Sequence, residues 1–408
     1  MRTNPIGAAA IASVALAVVA CSSEVDPQPE LHEGVASSTV SSTATVGAGG
    51  EATGGAGGEG GVIMGTGGFV TADHEPFPQL ENAGGPILAD PQLVTITFPG
   101  YAYTSDVEDF GDWIVGSDWL ITVGAEYGVG KGDHVQKVVM PEAAPITIDD
   151  EEIKAMLTSR IADGTLPTPP ALQNDYLYMV YFPEETTITL FGSESCTGFG
   201  GYHVSVDTDT LSFAYAVMPT CPDSGLQGVT GAASHEFIEA ATDAHPLVDP
   251  AFQLTDYDSS WSALGGEVAD LCVFGGLQAG GFYVTRSWSN AAAAAGTDPC
   301  VPATKDPYFS VSPKPAAIQL ASPGQTLKYT LTGWSTEKMD DWQLVAADGF
   351  GIPLDPKLDV NTMNNGKTAT LTLTVPGGAP PQSFGLVAVM SAKSKTKYNI
   401  WPIGLYIP

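Results

Sequence analysis

A glycine-rich stretch near the N-terminus most strongly limits what this chain can fold into. Twelve of the 22 residues from Gly47 to Gly68 are glycine, and a Ser/Thr-rich run from Ser37 to Thr45 precedes them. Glycine has no side chain to bury and loses the most conformational freedom on folding, so such a stretch cannot build a packed core. We therefore predict a disordered tether over residues 22–82, and we expect the folded part to begin at residue 83.

The N-terminus has the features of an export signal. A short positive start is followed by apolar and small residues from Ile6 to Ala20, a run shorter than the roughly 20 residues that cross a bilayer. The cysteine that follows, Cys21, resembles the modified residue of a bacterial lipobox. We predict a lipoprotein signal peptide over residues 1–21, lipidation of Cys21 and anchoring to the bacterial outer membrane, on either its periplasmic or its outer side. An ordinary cleaved signal peptide is the alternative.

Four further cysteines support export, namely Cys196, Cys221, Cys272 and Cys300. An even number in an oxidising compartment indicates two disulfides, with three possible connectivities. We favour Cys196–Cys221 and Cys272–Cys300, because these pairings close the shortest loops. A cysteine-rich metal site is the poorer interpretation, because the sequence contains no C-x-x-C pair.

The charge of the chain is strongly acidic and unevenly distributed. The formal net charge is −31, and residues 305–408 contribute a small positive balance from nine lysines against seven acidic residues. Nucleic-acid binding requires a basic surface, so the acidic main part argues against a nucleic-acid partner. An acidic exported protein is instead compatible with attraction of divalent cations.

The most informative motif is the run His-Glu-Phe-Ile-Glu at positions 235–239. In a helix, His235 and Glu239 lie on one face and present two ligands to one metal ion, and Glu236 is free to act as general base on an activated water. The pattern is similar to the zinc-peptidase motif H-E-x-x-H, with glutamate in the place of the second histidine. We predict Glu267 as the third ligand and Zn²⁺ as the ion, with Mn²⁺ or Ca²⁺ as alternatives because the set is rich in carboxylates. The other interpretation is an amphipathic helix with a solvated acidic face.

Four other residues are candidates for alternative ligands or for holding a ligand in position. Asp270 follows Glu267 in the same loop, and His203 lies in a predicted strand, where a histidine is more often simply hydrogen-bonded. Asp243 is expected to make hydrogen bonds at the end of the motif helix. His245 lies ten residues after the first histidine, as a third metal ligand does in some zinc peptidases.

The pattern of elements predicts two folded domains. Apolar runs at Leu93–Phe98 and Tyr176–Phe182 indicate buried strands, and Gln227–Thr242 is expected to form the motif helix. Over residues 83–304 we predict an α+β fold, a zincin-like mixed sheet with the motif helix packed on it. Polar and apolar side chains alternate in residues 305–408, which predicts an all-β immunoglobulin-like sandwich.

The segment from Cys196 to Cys300 resembles the phosphate-induced protein 1 (EXORDIUM-like) family, here as a bacterial lipoprotein member. Separated blocks that agree in order and rough spacing carry the resemblance, and with the upstream strand it covers roughly residues 90–300. The matching blocks are Tyr202-His203, Phe213-Ala-Tyr-Ala, Pro219-Thr-Cys-Pro, Ser234 to Asp243, Gly266 to Cys272 and Ser287-Trp-Ser-Asn290. The resemblance implies an extracellular, cell-wall or growth-related role and identifies no reaction.

Two classes of function follow from these features. The first is an exported metal-dependent hydrolase, peptidase-like, in which His235, Glu239 and Glu267 bind the ion and Glu236 is the general base. The alternative is a non-catalytic cell-surface binding or adhesion module with a structural or vestigial metal site. The expected partners are the membrane, through the lipid anchor, and extracellular protein or cell-wall material.

Overall fold

The computed structural model of the chain describes residues 68–170, 175–208 and 211–408. The predicted signal peptide, Cys21 and most of the predicted tether lie outside these residues. Within the described residues, no helix is both long enough and apolar enough to cross a membrane.

The described residues form five α-helices and three short 3-10 helices. The α-helices are α1 (Thr104–Ile114), α2 (Asp118–Gly124), α3 (Asp150–Ala162), α4 (Gly225–Thr242) and α5 (Asn290–Ala294). The 3-10 helices are Ala125–Tyr127, Ser260–Leu264 and Asp270–Cys272.

The strands of the described residues fall into two groups along the chain. The first group is β1 (Glu81–Asn82), β2 (Gln92–Thr97), β3 (Asp133–Val139), β4 (Thr147–Asp149), β5 (Tyr176–Phe182), β6 (Thr187–Leu190), β7 (Ser193–Glu194), β8 (Tyr202–Asp207), β9 (Ser212–Pro219), β10 (Phe252–Gln253), β11 (Gly276–Ala279), β12 (Phe282–Thr285), β13 (Ser287–Trp288) and β14 (Cys300–Val301). The second group is β15 (Phe309–Lys314), β16 (Gln319–Leu320), β17 (Thr326–Ser335), β18 (Trp342–Gly351), β19 (Lys357–Leu358), β20 (Thr362–Met363), β21 (Thr368–Thr374), β22 (Ser383–Ser394) and β23 (Lys397–Ile407).

The sheet that carries the metal motif has five strands in the order β3-β2-β5-β9-β8. The first four run parallel, and β8 is antiparallel to β9. The central strands β5 and β9 are almost entirely apolar and buried, which is the pattern of strands covered on both faces.

Helices cover both faces of this sheet. On one face, Leu177 and Met179 of β5 belong to the same apolar cluster as helices α1 and α4. On the other face, Tyr178 and Val180 pack into a second cluster with helix α3. Helix α3 begins at a capping box formed by Asp149 and the third helical residue, as expected for acids at a helix N-terminus.

The prediction of a zincin-like α+β domain followed by an immunoglobulin-like sandwich is wrong. Strands account for 38% of the described residues and helices for 19%, and no clear zincin core is present among these residues. The described strands form seven sheets, and two of these are two-residue pairings, β1 with β10 and β13 with β14. Pairings of that length have no periodic signature, so the sequence pattern missed them.

The C-terminal strands form a sandwich of two packed sheets. One sheet has the order β15-β17-β21-β19, and the other has the order β16-β23-β22-β18-β20, with β16 parallel to β23. The rings of Phe309 on one sheet and Trp342 on the other lie 5.3 Å apart. Their shared core is continuous with that of the preceding residues.

Residues before the predicted boundary at residue 83 already pack against the folded part. Phe77 is 5% exposed, and its ring lies 5.7 Å from that of Trp288, 5.6 Å from that of Trp334 and 5.6 Å from that of Trp401. Residues 68–82 therefore pack against the folded part instead of belonging to the tether. The ring of Phe77 contacts Trp288 of the first group of strands and both Trp334 and Trp401 of the second group.

Both predicted disulfides are confirmed. Cys196 is bonded to Cys221, and Cys272 is bonded to Cys300. The first bond lies just before helix α4, and the second fixes the loop that follows it. Two disulfides are typical of an extracellular protein, because such bonds form and persist mainly in oxidising compartments.

Candidate metal centre

Helix α4 carries three of the predicted site residues into the interior. Nearly every residue from Val229 to Thr242 is buried, because this alanine-rich helix lies between the sheet and the strand pair β11–β12. His235 and Glu239 lie one helical turn apart, with the Nε2 atom of His235 3.1 Å from the Oε1 atom of Glu239. The two side chains therefore share one face of the helix, as the spacing predicts.

The first group of possible ligands is built around His235. Its Nε2 atom lies 3.5 Å from the Oδ1 atom of Asp270, which belongs to the loop after helix α4. The backbone N–H of Asp270 donates a 3.0 Å hydrogen bond to the Oε1 atom of Glu239. His235, Glu239 and Asp270 are all buried and offer ligand atoms within 4.8 Å of one another.

The second group is built around His203, which strand β8 positions beside helix α4. The Nε2 atom of His203 lies 3.4 Å from the Oε1 atom of Glu267, and its Nδ1 atom lies 3.9 Å from the Oε2 atom of Glu239. These three residues also offer ligand atoms within 4.8 Å of one another. Glu236 is adjacent, with its Oε2 atom 3.3 Å from the Nδ1 atom of His203.

The carboxylates of the centre repel one another in a dry environment. Burial, together with the charge of Asp270, raises the pKa of Glu239 to about 7. Burial also raises the pKa of Asp270 to about 6 and raises the pKa of Glu267. Burial lowers the pKa of His203, but the charges of Glu267 and Glu236 outweigh it and raise that pKa well above its ordinary value. The centre therefore favours added positive charge.

Several buried oxygen atoms of the centre make no hydrogen bond of good geometry among the described residues, although an imidazole nitrogen lies 3.4 Å from Oε1 of Glu267 and 3.5 Å from Oδ1 of Asp270. They are Oε1 of Glu267, Oδ1 of Asp270 and Oδ2 of Asp243. A buried polar atom without a partner is costly, and native structures normally satisfy it with water, an ion or another group. Because carboxylate oxygen and imidazole nitrogen are the ligands that divalent ions take in proteins, the residues present fit a bound cation.

The second group lines a small cavity that opens towards the surface, whereas the first group is sealed. The cavity has a volume of about 30 Å³, and His203, Glu236, Glu239 and Glu267 are among the residues that line it. A water molecule needs roughly 10–15 Å³ by the same measure, so the space admits an ion with a water but no large side chain. Phe191 stands at this cavity and is 66% exposed.

The predicted ligand set is thus divided between two groups. Glu239 belongs to both, but Glu267 accompanies His203, and Asp270 rather than Glu267 accompanies His235. The predicted base Glu236 lies at the cavity.

The remaining two candidates lie at the edge of the centre. Asp243 ends helix α4 and accepts a 2.8 Å hydrogen bond from the backbone N–H of Ala251, as expected for a residue at a helix C-terminus. His245 pairs instead with Asp207, its Nδ1 atom 3.0 Å from the Oδ1 atom of that residue.

Sequence reasoning missed two residues that shape the cavity. A Cβ atom at Gly201 would come within 3.1 Å of the Oε1 atom of Glu236, so this glycine permits the close approach of strand β8 to the helix. Phe191 has a φ of 49° and is followed by Gly192 with a φ of 84°. The only signal in the sequence was the Phe-Gly pair, which resembles an ordinary turn.

Comparisons with known proteins add little. No protein-family model matches the chain, and no curated protein is significantly similar to it. Domains 4 and 5 of the S-layer protein SbsC match with 7% identity over 25% of this chain and 53% of that chain, at a TM-score of 0.19. A Bacteroides ovatus GH5 xyloglucanase matches with 9% identity over 25% of this chain and 19% of that chain, at a TM-score of 0.18.

A PapD-like domain of human CEP192 matches with 12% identity over 26% of this chain and 89% of that chain, at a TM-score of 0.17. This chain spans about half the length of the S-layer fragment, with 53% covered. Likenesses at these scores carry no argument about function, and the resemblance to the phosphate-induced protein 1 family stays a prediction.

Proposed function

We propose that this chain is an exported metal-dependent hydrolase whose reactive ion is bound by His203, Glu239 and Glu267. The observation that supports this most directly is the position of these ligands on a cavity that also holds Glu236. Zn²⁺ is the first ion to test, and Mn²⁺ and Ca²⁺ follow because two of the three ligands are carboxylates. The proposal rests on the residues of the centre and not on the fold.

The chemistry of this arrangement is hydrolysis of a carbonyl compound, with a peptide bond as the first substrate to examine. When bound, a divalent ion lowers the pKa of a coordinated water and polarises a carbonyl group. Glu236 lies beside the cavity with its Oε2 atom 3.3 Å from the Nδ1 atom of His203. From there its carboxylate takes a proton from the attacking water and returns it to the leaving group.

Glu236 also orients the ring of His203, and an experiment must separate this role from its role as general base. Its carboxylate accepts a hydrogen bond from the ring of His203, and such a partner fixes the orientation of a metal-binding imidazole. A Glu236→Gln variant keeps an oxygen that accepts this hydrogen bond but removes the basic carboxylate. The two roles therefore predict different results for the same substitution.

The test is metal content and hydrolysis measured on the same preparations. We expect Glu236→Gln to retain its metal and to lose hydrolysis by a factor of about 10²–10⁴. The matched control is Glu185→Gln, which removes an exposed carboxylate in a turn outside the cavity. Hydrolysis that is unchanged in metal-loaded Glu236→Gln would contradict the catalytic proposal.

One observation favours the non-catalytic alternative. The cavity volume of about 30 Å³ leaves no space for a substrate side chain next to the ligands, which is also what a structural ion requires. Under this alternative the chain is a cell-surface binding or adhesion module whose partners are extracellular protein or cell-wall material. Metal retained by the wild type, with no hydrolysis of any peptide in a broad library, would favour this second function.

We further propose that the chain is anchored to the outer membrane by a lipid on Cys21. The support is the small residue Ala20 directly before this cysteine, as in a bacterial lipobox. Cys21→Ala is expected to move the protein from the membrane fraction to the soluble fraction and to abolish incorporation of labelled palmitate. Equal labelling of the variant would contradict lipidation at this position.

A further inference from the structure

The carboxylate of Glu239 faces two different groups of ligands. Its Oε1 atom lies 3.1 Å from the Nε2 atom of His235, whereas its Oε2 atom lies 3.9 Å from the Nδ1 atom of His203. The two oxygens of one carboxylate thus lie towards imidazoles from two separate elements, helix α4 and strand β8. A carboxylate placed between two groups of ligands in this way has one oxygen for an ion in each group.

The two groups of ligands share Glu239 and have no other residue in common. His235, Glu239 and Asp270 form one set of three, and His203, Glu239 and Glu267 form the other. Each set also contains a buried oxygen that makes no hydrogen bond of good geometry among the described residues and lies close to the imidazole of its own set. They are Oδ1 of Asp270, 3.5 Å from His235, and Oε1 of Glu267, 3.4 Å from His203. Asp270 is 0% exposed, so its carboxylate has no contact with bulk solvent.

The charge of the centre points in the same direction. Glu236, Glu239, Glu267 and Asp270 surround the two imidazoles, and none of these carboxylates forms an ion pair with a lysine or arginine among the described residues. When both imidazoles are neutral, as metal ligands are, a single divalent ion balances only half of the charge of four ionised carboxylates. Two divalent ions balance it fully, and a buried cluster of charge requires such compensation.

We infer that the centre binds two divalent cations bridged by Glu239. The inner ion is held by His235, Glu239 and Asp270 in the sealed interior, and it fixes helix α4 against the loop that contains Asp270. The outer ion is held by His203, Glu239 and Glu267 at the cavity. The outer ion rests on the function proposed above, and the inner ion goes beyond it. Paired ions about 3.5–4 Å apart are a common arrangement in hydrolytic enzymes.

The test is the number of ions bound by the full chain, loaded with Zn²⁺ and measured by mass spectrometry after removal of free metal. We expect two ions per chain in the wild type and in the Glu185→Gln control. Asp270→Asn should lose the inner ion and keep the outer, and Glu267→Gln should do the reverse, so that each binds one. Glu239→Gln should bind neither ion stably.

A second measurement requires no variant and is therefore independent of misfolding. The wild type is loaded with Mn²⁺ and examined by electron paramagnetic resonance, where two ions bridged by one carboxylate give an exchange-coupled spectrum. An isolated six-line spectrum at saturation would overturn the bridged pair.

The failure of this inference is distinguishable from the failure of the proposed function. Saturation at one ion per chain, lost in Glu267→Gln but retained in Asp270→Asn, would refute the second ion and leave the one-ion hydrolase intact. Absence of any bound ion would refute both.

Discussion

Replacement of Glu239 by glutamine should stabilise the metal-free protein at alkaline pH, although it removes a residue at the heart of the centre. Glu239 is 2% exposed, and no lysine or arginine among the described residues pairs with it. Burial first, and the charge of Asp270 second, raise its pKa from 4.5 to about 7. The ionised form is therefore unfavourable in the folded protein.

The sign and size of the effect follow from proton linkage. Between pH 4.5 and about 7 the folded state binds more protons at Glu239 than the unfolded state, so stability is full below this range and falls as the pH rises through it. One pKa unit corresponds to about 1.4 kcal/mol, so a rise from 4.5 to about 7 costs the ionised folded state about 3 kcal/mol. Glutamine carries no charge and still accepts the hydrogen bond from the backbone N–H of Asp270.

Urea unfolding of EDTA-treated protein tests this. We expect Glu239→Gln to be more stable than the wild type by up to about 3 kcal/mol at pH 8 and to differ little from it at pH 4. Zn²⁺ should reverse the order at pH 8, because an ion at 1,000 times its dissociation constant stabilises only the wild type, by about 4.1 kcal/mol, which exceeds the advantage of the variant. A variant that is less stable than the metal-free wild type at both pH values would refute the reasoning, and Glu185→Gln should show neither effect.

Two further predictions concern the aromatic residues of the cavity and of the junction. Phe191→Asn should raise the unfolding free energy by about 1 kcal/mol, because asparagine tolerates the φ of 49° that phenylalanine adopts at cost. It should also raise KM if the exposed ring contacts substrate, and an unchanged KM in steady-state kinetics would exclude that contact. Phe77→Ala should lower the unfolding free energy in urea by about 3–5 kcal/mol, because it empties a cluster of rings that joins both parts of the chain. A loss below about 1 kcal/mol would show that residues 68–82 are not part of the core.

The parts of the fold that could be predicted are those with a strong local pattern. The run predicted at Leu93–Phe98 is a strand from Gln92 to Thr97, and Tyr176–Phe182 has the predicted bounds. The helix expected from Gln227 to Thr242 extends from Gly225 to Thr242. In these segments the continuous apolar run or the helical pattern predicts the same secondary structure that the tertiary contacts require.

The division of the centre into two groups could not be predicted, because it depends on loop geometry. The sequence offers Glu267 and Asp270 in one loop, and the loop backbone decides which of them approaches His235. Gly265 has a φ of 130°, and a Cβ atom there would overlap the carboxylate of Asp270, so the loop turns in a way open mainly to glycine. For His203, strand alternation leaves two possible faces, and only the position of helix α4 selects one.

The bridging role of Glu239 gives a physical reason for a glutamate in the place of the second histidine of H-E-x-x-H, and it leads to a last prediction. A carboxylate has two oxygens that reach two ions, whereas a neutral imidazole has one nitrogen lone pair, the other nitrogen being protonated. In Glu239→His, the imidazole at position 239 therefore binds an ion either with His235 and Asp270 or with His203 and Glu267, but not both. We expect the variant to bind one ion per chain instead of two, with the exchange-coupled Mn²⁺ spectrum replaced by that of an isolated ion. Retention of two coupled ions in Glu239→His would show that the bridge lies elsewhere, and equal occupancy of one ion in variant and wild type would show that no second ion was present.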